Sequence, residues 1–191
     1  MRQIILASSS PRRKGLLEQI GLKFAVESRV EEDNGQNGLP PEKLVEQNSL
    51  KKAHSAAAFH QDAIIIAADT IGNIDGKIIG KPVSADEARA MLSSLSGKTH
   101  KVITGFTVLD TASKKVVTKS VSTTVYFKKL STQEIDDYVD TGEPLDKAGA
   151  YGVQGKGALL VEKIEGDYFN VVGLPLFTLG EVLKEFSVEV F

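Results

Sequence analysis

The residues best suited to bind phosphate lie near the start of the chain, in the run Ser-Ser-Ser-Pro-Arg-Arg at positions 8–13. The apolar run at 4–7 predicts a buried strand, and Ser10 followed by proline predicts the start of a helix. A helix N-terminus presents free N–H groups and a favourable dipole to an anion, and the arginine fork matches phosphate oxygens. Two interpretations remain open from this run alone. Either it binds phosphate, or it is an ordinary helix cap followed by solvated arginines.

A second candidate is Asp69, which follows the apolar run at 64–68. The carboxyl end of a buried strand is where α/β proteins place functional groups, and aspartate is unfavourable within strands. An Asx turn that ends the strand explains the same residue equally well. The sequence therefore predicts a strand over 63–68 with Asp69 at its end, and leaves its role open between chemistry and strand termination.

Two lysines and one glycine-rich segment complete the candidates. Lys52 lies on a predicted helix over 40–59, on the face it shares with Val45, Ser49 and Ala56, where either a ligand or snorkelling explains it. Lys81 precedes a proline after a predicted hairpin, and a solvated loop lysine is the simpler interpretation. The segment 143–155 combines three glycines with four polar side chains, which suits close approach of a ligand. These side chains belong to Asp146, Lys147, Tyr151 and Gln154.

The composition limits the class of protein. With 191 residues, 41% hydrophobic and 25% charged, the chain predicts one globular domain over 1–191. A net charge of −2 argues against a nucleic-acid partner, and the absence of cysteine excludes disulfides and thiolate metal sites. With three histidines, we expect any metal to be a hard cation on carboxylates. No apolar run approaches the ~20 residues of a membrane span or predicts a signal peptide, so we expect a cytoplasmic protein without a membrane partner.

Strand and helix patterns alternate along the chain and predict an α/β fold with a mixed sheet. The Asp75-Gly76 pair predicts a hairpin turn, and Ser84 with Glu87 and Ser131 with Glu134 predict capping boxes. The further predicted elements are short strands at 23–26 and 158–164, a hairpin of 99–109 with 116–127, helices to about 95 and 141, and a last helix from Pro175 to about 186.

Seven segments, taken together and in order, resemble the Maf family of nucleoside triphosphate pyrophosphatases. The resemblance extends from Ile4 to about Leu183. The matching segments are 7–13, 50–53, 67–70, 80–82, 95–100, 143–155 and 170–175.

The resemblance implies a Maf/ITPase-like fold: α/β, with a mixed, elongated and curved sheet flanked by helices, and two lobes with a central cleft. It implies hydrolysis of a nucleoside triphosphate between the α and β phosphates, which gives a monophosphate and pyrophosphate. It also implies a divalent metal cofactor, Mg²⁺ or Mn²⁺, and a homodimer.

The resemblance also assigns roles by position. It implies that Asp69 is the catalytic acid/base or metal-organising group and that Glu32 helps to hold the metal, with Glu31 as the alternative because loop length varies. The family's triphosphate-binding turn corresponds to Ser8, Ser10, Arg12 and Arg13. The two lysines of the family's sequence pattern correspond to Lys52 and Lys81.

Within the family, the chain is most similar to the branch that acts on dTTP and UTP. The specificity positions of that branch correspond to Arg12, Thr70 and Gln154. One amide offers both a donor and an acceptor, which suits the O4 and N3–H of uracil and thymine. The polar stretch at 34–38 and the pair Asn48-Ser49 depart from the family pattern, and we expect neither to touch the chemistry.

Two other functions compete with this interpretation. A nucleotide-binding regulator of cell division, in line with the family's septum-inhibition label, would need the lysines but not Asp69 and Glu32. A purine-directed pyrophosphatase is disfavoured by Thr70 and Gln154. A nucleic-acid-binding module is third, and the net charge of −2 argues against it.

Overall fold

A computed structural model of the protein describes residues 2–27 and 38–190. Strands and helices alternate along these residues. The strands are β1 (Gln3–Leu6), β2 (Ala25–Val26), β3 (Ala63–Ile74), β4 (Lys77–Ile79), β5 (Thr99–Asp110), β6 (Val116–Phe127) and β7 (Val161–Glu165). The α-helices are α1 (Pro11–Gln19), α2 (Pro41–Ala57), α3 (Ala85–Leu95), α4 (Thr132–Val139), α5 (Tyr168–Val172) and α6 (Leu176–Glu185).

The described residues form one seven-stranded sheet in the order β2-β1-β3-β5-β6-β7, with β4 paired to β3. Strand β1 pairs in parallel with both β2 and β3, whereas the β3–β4 and β6–β7 pairs are antiparallel. The sheet is therefore mixed, and the predicted α/β fold is confirmed. Among the described residues, no helix has the length and apolar character needed to cross a membrane.

Strand β3 corrects the main prediction about Asp69. The strand does not end at Ala68 but continues to Ile74, so Asp69 lies within it. The explanation of Asp69 as an Asx turn that ends the strand is therefore wrong. The extension is stabilised by two partners in succession. Residues 63–66 pair with β1, and residues 72–74 pair with β4 across the predicted turn, in which Asp75 and Gly76 have positive φ.

Smaller corrections concern local hydrogen bonds. The strand predicted at 158–164 begins only at Val161, because Lys156–Leu160 forms a 3₁₀ turn. Helix α5 lies between the predicted strand at 158–164 and the predicted last helix, where no helix was predicted. The Asp167 carboxylate there accepts the N–H groups of Phe169 at 2.7 Å and Asn170 at 3.2 Å. The capping box at Ser131 is confirmed. At Ser84 only half of it forms, since the Glu87 carboxylate accepts the N–H of Val83 instead.

Contacts between residues divide the chain into two compact units. The first comprises the described residues of Met1–Asp69, Thr104–Val121 and Gly173–Phe191, and the second comprises Thr70–Ile103 and Ser122–Val172.

In the first unit, helix α2 packs on the sheet through small residues. Ala53 and Ala56 of the helix contact a cluster of apolar residues from β1, β3 and the end of β5. At Gly105 of β5, a Cβ would lie 2.7 Å from the backbone nitrogen of Glu46, so only glycine permits this approach. This close packing fixes the distance between α2 and the sheet, and with it the position of the α2 side chains that face the sheet.

In the second unit, apolar and aromatic residues from α3, α4, β5 and β6 form a separate core. Phe127 and Tyr151 both belong to this core, with their ring centroids 4.7 Å apart and their planes at 74°. The buried members include Leu92, Leu95, Val102, Val125, Phe127, Ile135, Tyr138, Tyr151 and Leu160.

Candidate active site

Helix α2 and strand β3 place three polar side chains in contact within the first unit. The Lys52 ammonium lies 2.7 Å from Asp69 Oδ1, and the Asn48 amide donates to Asp69 Oδ2 at 3.0 Å. Lys52, Asn48 and Asp69 are 6%, 8% and 9% exposed. The snorkelling explanation for Lys52 is therefore wrong, because its charge is buried and paired with the carboxylate.

The contact with Asn48 contradicts an expectation from the sequence. Asn48-Ser49 was expected to lie away from the chemistry, yet Asn48 binds the predicted catalytic carboxylate. Ser49 instead contacts Glu46 O and Thr107, each at 2.9 Å. The signal for Asn48 was its spacing, since residues four apart share a helix face and Asn48 lies four positions before Lys52.

The turn that follows β1 is built as predicted, with Ser10 as the N-cap of α1 and Pro11 at its first position. Arg13, however, is buried rather than solvated, at 7% exposed. Its Nε donates to the carbonyl of Gly173 at 2.9 Å, and its Nη1 donates to Ser8 Oγ at 3.1 Å. Arg13 thus joins this turn to the segment preceding α6, and its predicted contact with phosphate stays a prediction.

This turn follows β1, and Asp69 lies in β3, the neighbouring strand of the sheet. Strands β1 and β3 are parallel with Leu6 opposite Ile66, and the Ala7 N–H donates to Ile66 O at 2.8 Å. The turn begins immediately after this hydrogen bond, and Asp69 comes three residues after Ile66. The first unit therefore brings together two groups of predicted residues, the serine–arginine turn and the Asp69–Lys52 pair.

The second unit contains three further predicted residues, Thr70, Lys81 and Gln154. Lys81 is exposed after β4, Gln154 is exposed in a turn, and Thr70 is half-buried in β3 directly after Asp69. The Gly149 N–H donates to the carbonyl of Gly80 at 2.9 Å, which joins the segments that carry Lys81 and Gln154.

Most polar side chains of the glycine-rich segment have partners within the chain. The Lys147 ammonium contacts Glu143 O at 2.7 Å and Asp146 Oδ1 at 2.6 Å. The buried Tyr151 hydroxyl lies 2.8 Å from His100 Nε2, and burial raises the pKa of Tyr151 above its ordinary value. The role of Gln154 stays a prediction.

The Asp69 carboxylate can bind a divalent cation while it keeps its two hydrogen bonds. Each carboxylate oxygen accepts one hydrogen bond and keeps further acceptor capacity, and Mg²⁺ usually takes one or two carboxylates together with substrate phosphates and water. Residues 2–27 and 38–190 contain no preformed group of three or more His, Asp or Glu side chains that could hold a metal. Glu32 and Glu31, the predicted second ligands, lie outside the described residues.

Comparisons with known proteins show what this chain is similar to as a whole. The family model described as "Maf-like protein" matches residues 3–186. The dTTP/UTP pyrophosphatase of Methanosarcina barkeri is 52% identical over 192 residues, which cover 100% of this chain and 98% of that protein. The enzyme of the same name from Dictyoglomus turgidum is 50% identical over 187 residues, 97% of each chain.

Among solved structures, a HAM1 protein from Coxiella burnetii has a TM-score of 0.57 at 17% identity. The match covers 97% of this chain and 100% of that one. At that identity the likeness establishes the fold alone.

Proposed function

Because this chain belongs to the Maf family, we propose that it hydrolyses dTTP and UTP to the nucleoside monophosphate and pyrophosphate, and so acts on the nucleotide pool. The observation that carries the proposal is the buried ion pair of Lys52 with Asp69, next to a helix N-terminus that follows the neighbouring strand. Relatives that share about half of its residues over the full length bear the name of this activity.

The cations of the site suit a triphosphate. Its charge of about −4 needs several donors, and arginine forks together with a helix N-terminus supply them. In this proposal Ser8, Ser10, Arg12 and Arg13 bind phosphate oxygens, and Lys52 and Lys81 add two ammonium groups.

Asp69 has the environment of a reactive carboxylate. Lys52 and Asn48 each bind one of its oxygens and fix the orientation of the group, while Lys52 also compensates its charge. In this proposal Asp69 with Glu32 holds a divalent cation, which when bound would neutralise phosphate charge and make water a better nucleophile. Positioning and charge neutralisation are what phosphoryl chemistry mainly requires of a protein.

Base selection is assigned to Arg12, Thr70 and Gln154. The Gln154 amide is exposed, and it offers the donor and acceptor that uracil and thymine require. We further propose that the chain acts as a single-domain homodimer in the cytoplasm, as the resemblance implies.

The proposal is tested by measuring pyrophosphate release from dTTP, UTP, CTP, dATP, GTP and 7-methyl-GTP, with Mg²⁺ and then with Mn²⁺. We expect turnover of dTTP and UTP only. Asp69→Asn should reduce it by about 100-fold or more, because the neutral amide removes both a metal ligand and a proton acceptor.

A matched control is Asp62→Asn, which alters an aspartate in the same unit whose side chain is 70% exposed. That variant should keep wild-type turnover. Near-normal turnover by a folded Asp69→Asn variant would contradict the role of Asp69. Nucleotide binding without turnover by the wild type would indicate a regulator, and turnover of purines would contradict the base assignment.

A further inference from the structure

The carboxylate of Glu143, at the start of the glycine-rich segment, binds the backbone immediately after that segment ends. Its Oε2 accepts the N–H of Lys156 at 2.9 Å, and its Oε1 accepts the N–H of Gly157 at 3.1 Å. These two N–H groups lie 13 and 14 positions after Glu143. The Glu143 side chain therefore fixes the backbone at the end of the glycine-rich segment.

The turn that ends there is bound at its other end through Tyr138 of α4. The Tyr138 hydroxyl donates to Glu143 Oε1 at 2.9 Å and accepts the N–H of Gly152 at 3.1 Å. Gly155 N–H closes the turn on Gly152 O at 3.2 Å. Residues 152–157, called here the glutamine turn, are thus held at both ends by Glu143 and Tyr138, and Gln154 lies between these ends.

The packing of Gly155 shows how closely the glutamine turn lies against Glu143. A Cβ built on Gly155 would lie 2.6 Å from Glu143 Cδ, which is closer than a real Cβ contact. A side chain here would displace either the carboxylate or the turn. The glycine is therefore required by the contact with Glu143.

We propose that Glu143 is a positioning residue, which holds the glutamine turn so that the Gln154 amide is presented to the nucleobase. The nucleobase part rests on the proposed function, whereas the holding of the turn rests on the hydrogen bonds alone. No role was assigned to Glu143 from the sequence.

A carboxylate suits this task better than an amide. It accepts hydrogen bonds on both oxygens, and bonds from N–H to an ionised group are among the stronger ones. Burial raises the pKa of Glu143, but the N–H groups of Gly157 and Lys156 and the Tyr138 hydroxyl outweigh it and hold the pKa below its ordinary value. In Glu143→Gln, either orientation of the amide would direct its NH₂ group at a backbone N–H.

The first experiment measures amide hydrogen exchange by NMR in the full-length protein and its Glu143→Gln variant. We expect exchange of the Lys156 and Gly157 amides to become about tenfold faster or more, since each loses a charged acceptor. Glu134→Gln is the matched control, because Glu134 also accepts a backbone N–H in this unit, that of Ser131 at 2.8 Å. This control should leave exchange in the glutamine turn unchanged.

The second experiment measures base selectivity, which a purely structural role would not alter. The ratio of the inhibition constant of CTP to KM for UTP should fall about tenfold in Glu143→Gln, with kcat for UTP within about threefold of wild type. Adding Gln154→Ala to Glu143→Gln should then change the ratio no further than Gln154→Ala alone, because both act through one amide. Dissociation constants for UTP and CTP from calorimetry give the same comparison without turnover.

The outcomes separate the two proposals. Wild-type exchange rates in Glu143→Gln would overturn the holding of the turn. Faster exchange with an unchanged UTP preference, or additive effects of the two substitutions, would overturn the link to Gln154. A wild-type protein that binds UTP over CTP without releasing pyrophosphate would contradict the proposed activity alone, and the binding ratio would still test Glu143.

Discussion

Asp69 and Glu143 are both carboxylates with hydrogen-bond donors on both oxygens, but the donors differ in kind. Asp69 is bound by the side chains of Lys52 and Asn48, whereas Glu143 is bound by two backbone N–H groups and a tyrosine hydroxyl. Side-chain donors can turn away by a rotamer change and leave the carboxylate open to a ligand. Backbone N–H donors stay in place unless the chain itself moves. The first arrangement therefore suits chemistry, and the second suits the shaping of a segment.

The regions around the two carboxylates also differ in regularity. Asp69 and its donors lie on a regular strand and helix, whose geometry fixes their separation. Glu143 lies among 3₁₀ turns of only 3 to 5 residues each, not on a long regular element. A change at Asp69 should therefore act on the charge balance of a rigid site, and a change at Glu143 should act on the conformation of a segment.

The largest effect on stability is expected from Lys52→Met. It leaves Asp69 buried without its ion-pair partner, and breaking one side of a buried pair costs about 3–5 kcal/mol. The free energy of unfolding in urea should fall by that amount, and pyrophosphate release should be lost.

Lys147→Met provides the comparison in the other region. The carboxylate partner of Lys147 is Asp146, whose side chain is 62% exposed and can be solvated by water. We expect a loss of about 1 kcal/mol or less from this pair. Equal losses from the two variants would contradict the distinction between the two regions.

The next effect depends on pH and concerns His100, which contacts Tyr151 of the glycine-rich segment. Burial lowers the pKa of His100 from its ordinary 6.5 to about 4. Below pH 6.5 His100 is protonated in the unfolded chain, whereas in the folded protein it stays neutral until the pH approaches 4. The contribution of His100 to the free energy of unfolding is therefore complete above pH 6.5. It is lost as the pH falls to about 4, by about 3 kcal/mol in total.

Urea unfolding between pH 7 and 4 measures this loss against His100→Gln, which lacks the titrating group. The wild type should lose about 3 kcal/mol more than the variant over that range. His54→Gln removes an exposed histidine of α2 and should retain the wild-type dependence on pH. A parallel course of wild type and His100→Gln would show that His100 takes up its proton in the folded protein.

The two regions were unequally accessible from sequence. Helical spacing placed Lys52 on the buried face with Val45, Ser49 and Ala56, and the structure confirms this face. The same spacing included Asn48, which was overlooked because the pattern marks a buried face without showing what it meets. The strand end predicted at Asp69 was wrong because β3 continues without a break into its hairpin with β4. The sequence predicted the hairpin turn at Asp75-Gly76 but did not show that residues 63–68 and the first hairpin strand form one strand.

The glycine-rich segment shows where such inference stops. Its glycines predicted close approach of a ligand, which stays a prediction, whereas the close contacts observed are with side chains of the chain itself. The partner of Lys156 and Gly157, however, is a side chain more than ten positions earlier, and no periodicity connects them. Glu143 therefore carried no local signal beyond its place in the segment.

The smallest effect on turnover is expected from Asn48→Leu. Asp69 keeps Lys52 on Oδ1 but loses the donor on Oδ2, so its carboxylate is fixed by one contact instead of two. The loss of one such hydrogen bond is worth about 1 kcal/mol, which corresponds to about a fivefold reduction in kcat. KM for dTTP should be unchanged, because Asn48 is placed against Asp69 rather than among the proposed phosphate ligands.

Ser49→Ala is the matched control for this prediction, because its hydroxyl lies on the same helix turn but contacts Glu46 O and Thr107 instead of Asp69. That variant should retain wild-type kcat, while steady-state kinetics with dTTP should show the fivefold loss in Asn48→Leu. Equal kcat in wild type and Asn48→Leu would mean that Lys52 alone orients the carboxylate. The Asp69 region would then depend on its ion pair alone, and the contrast with the several donors that hold Glu143 would become sharper.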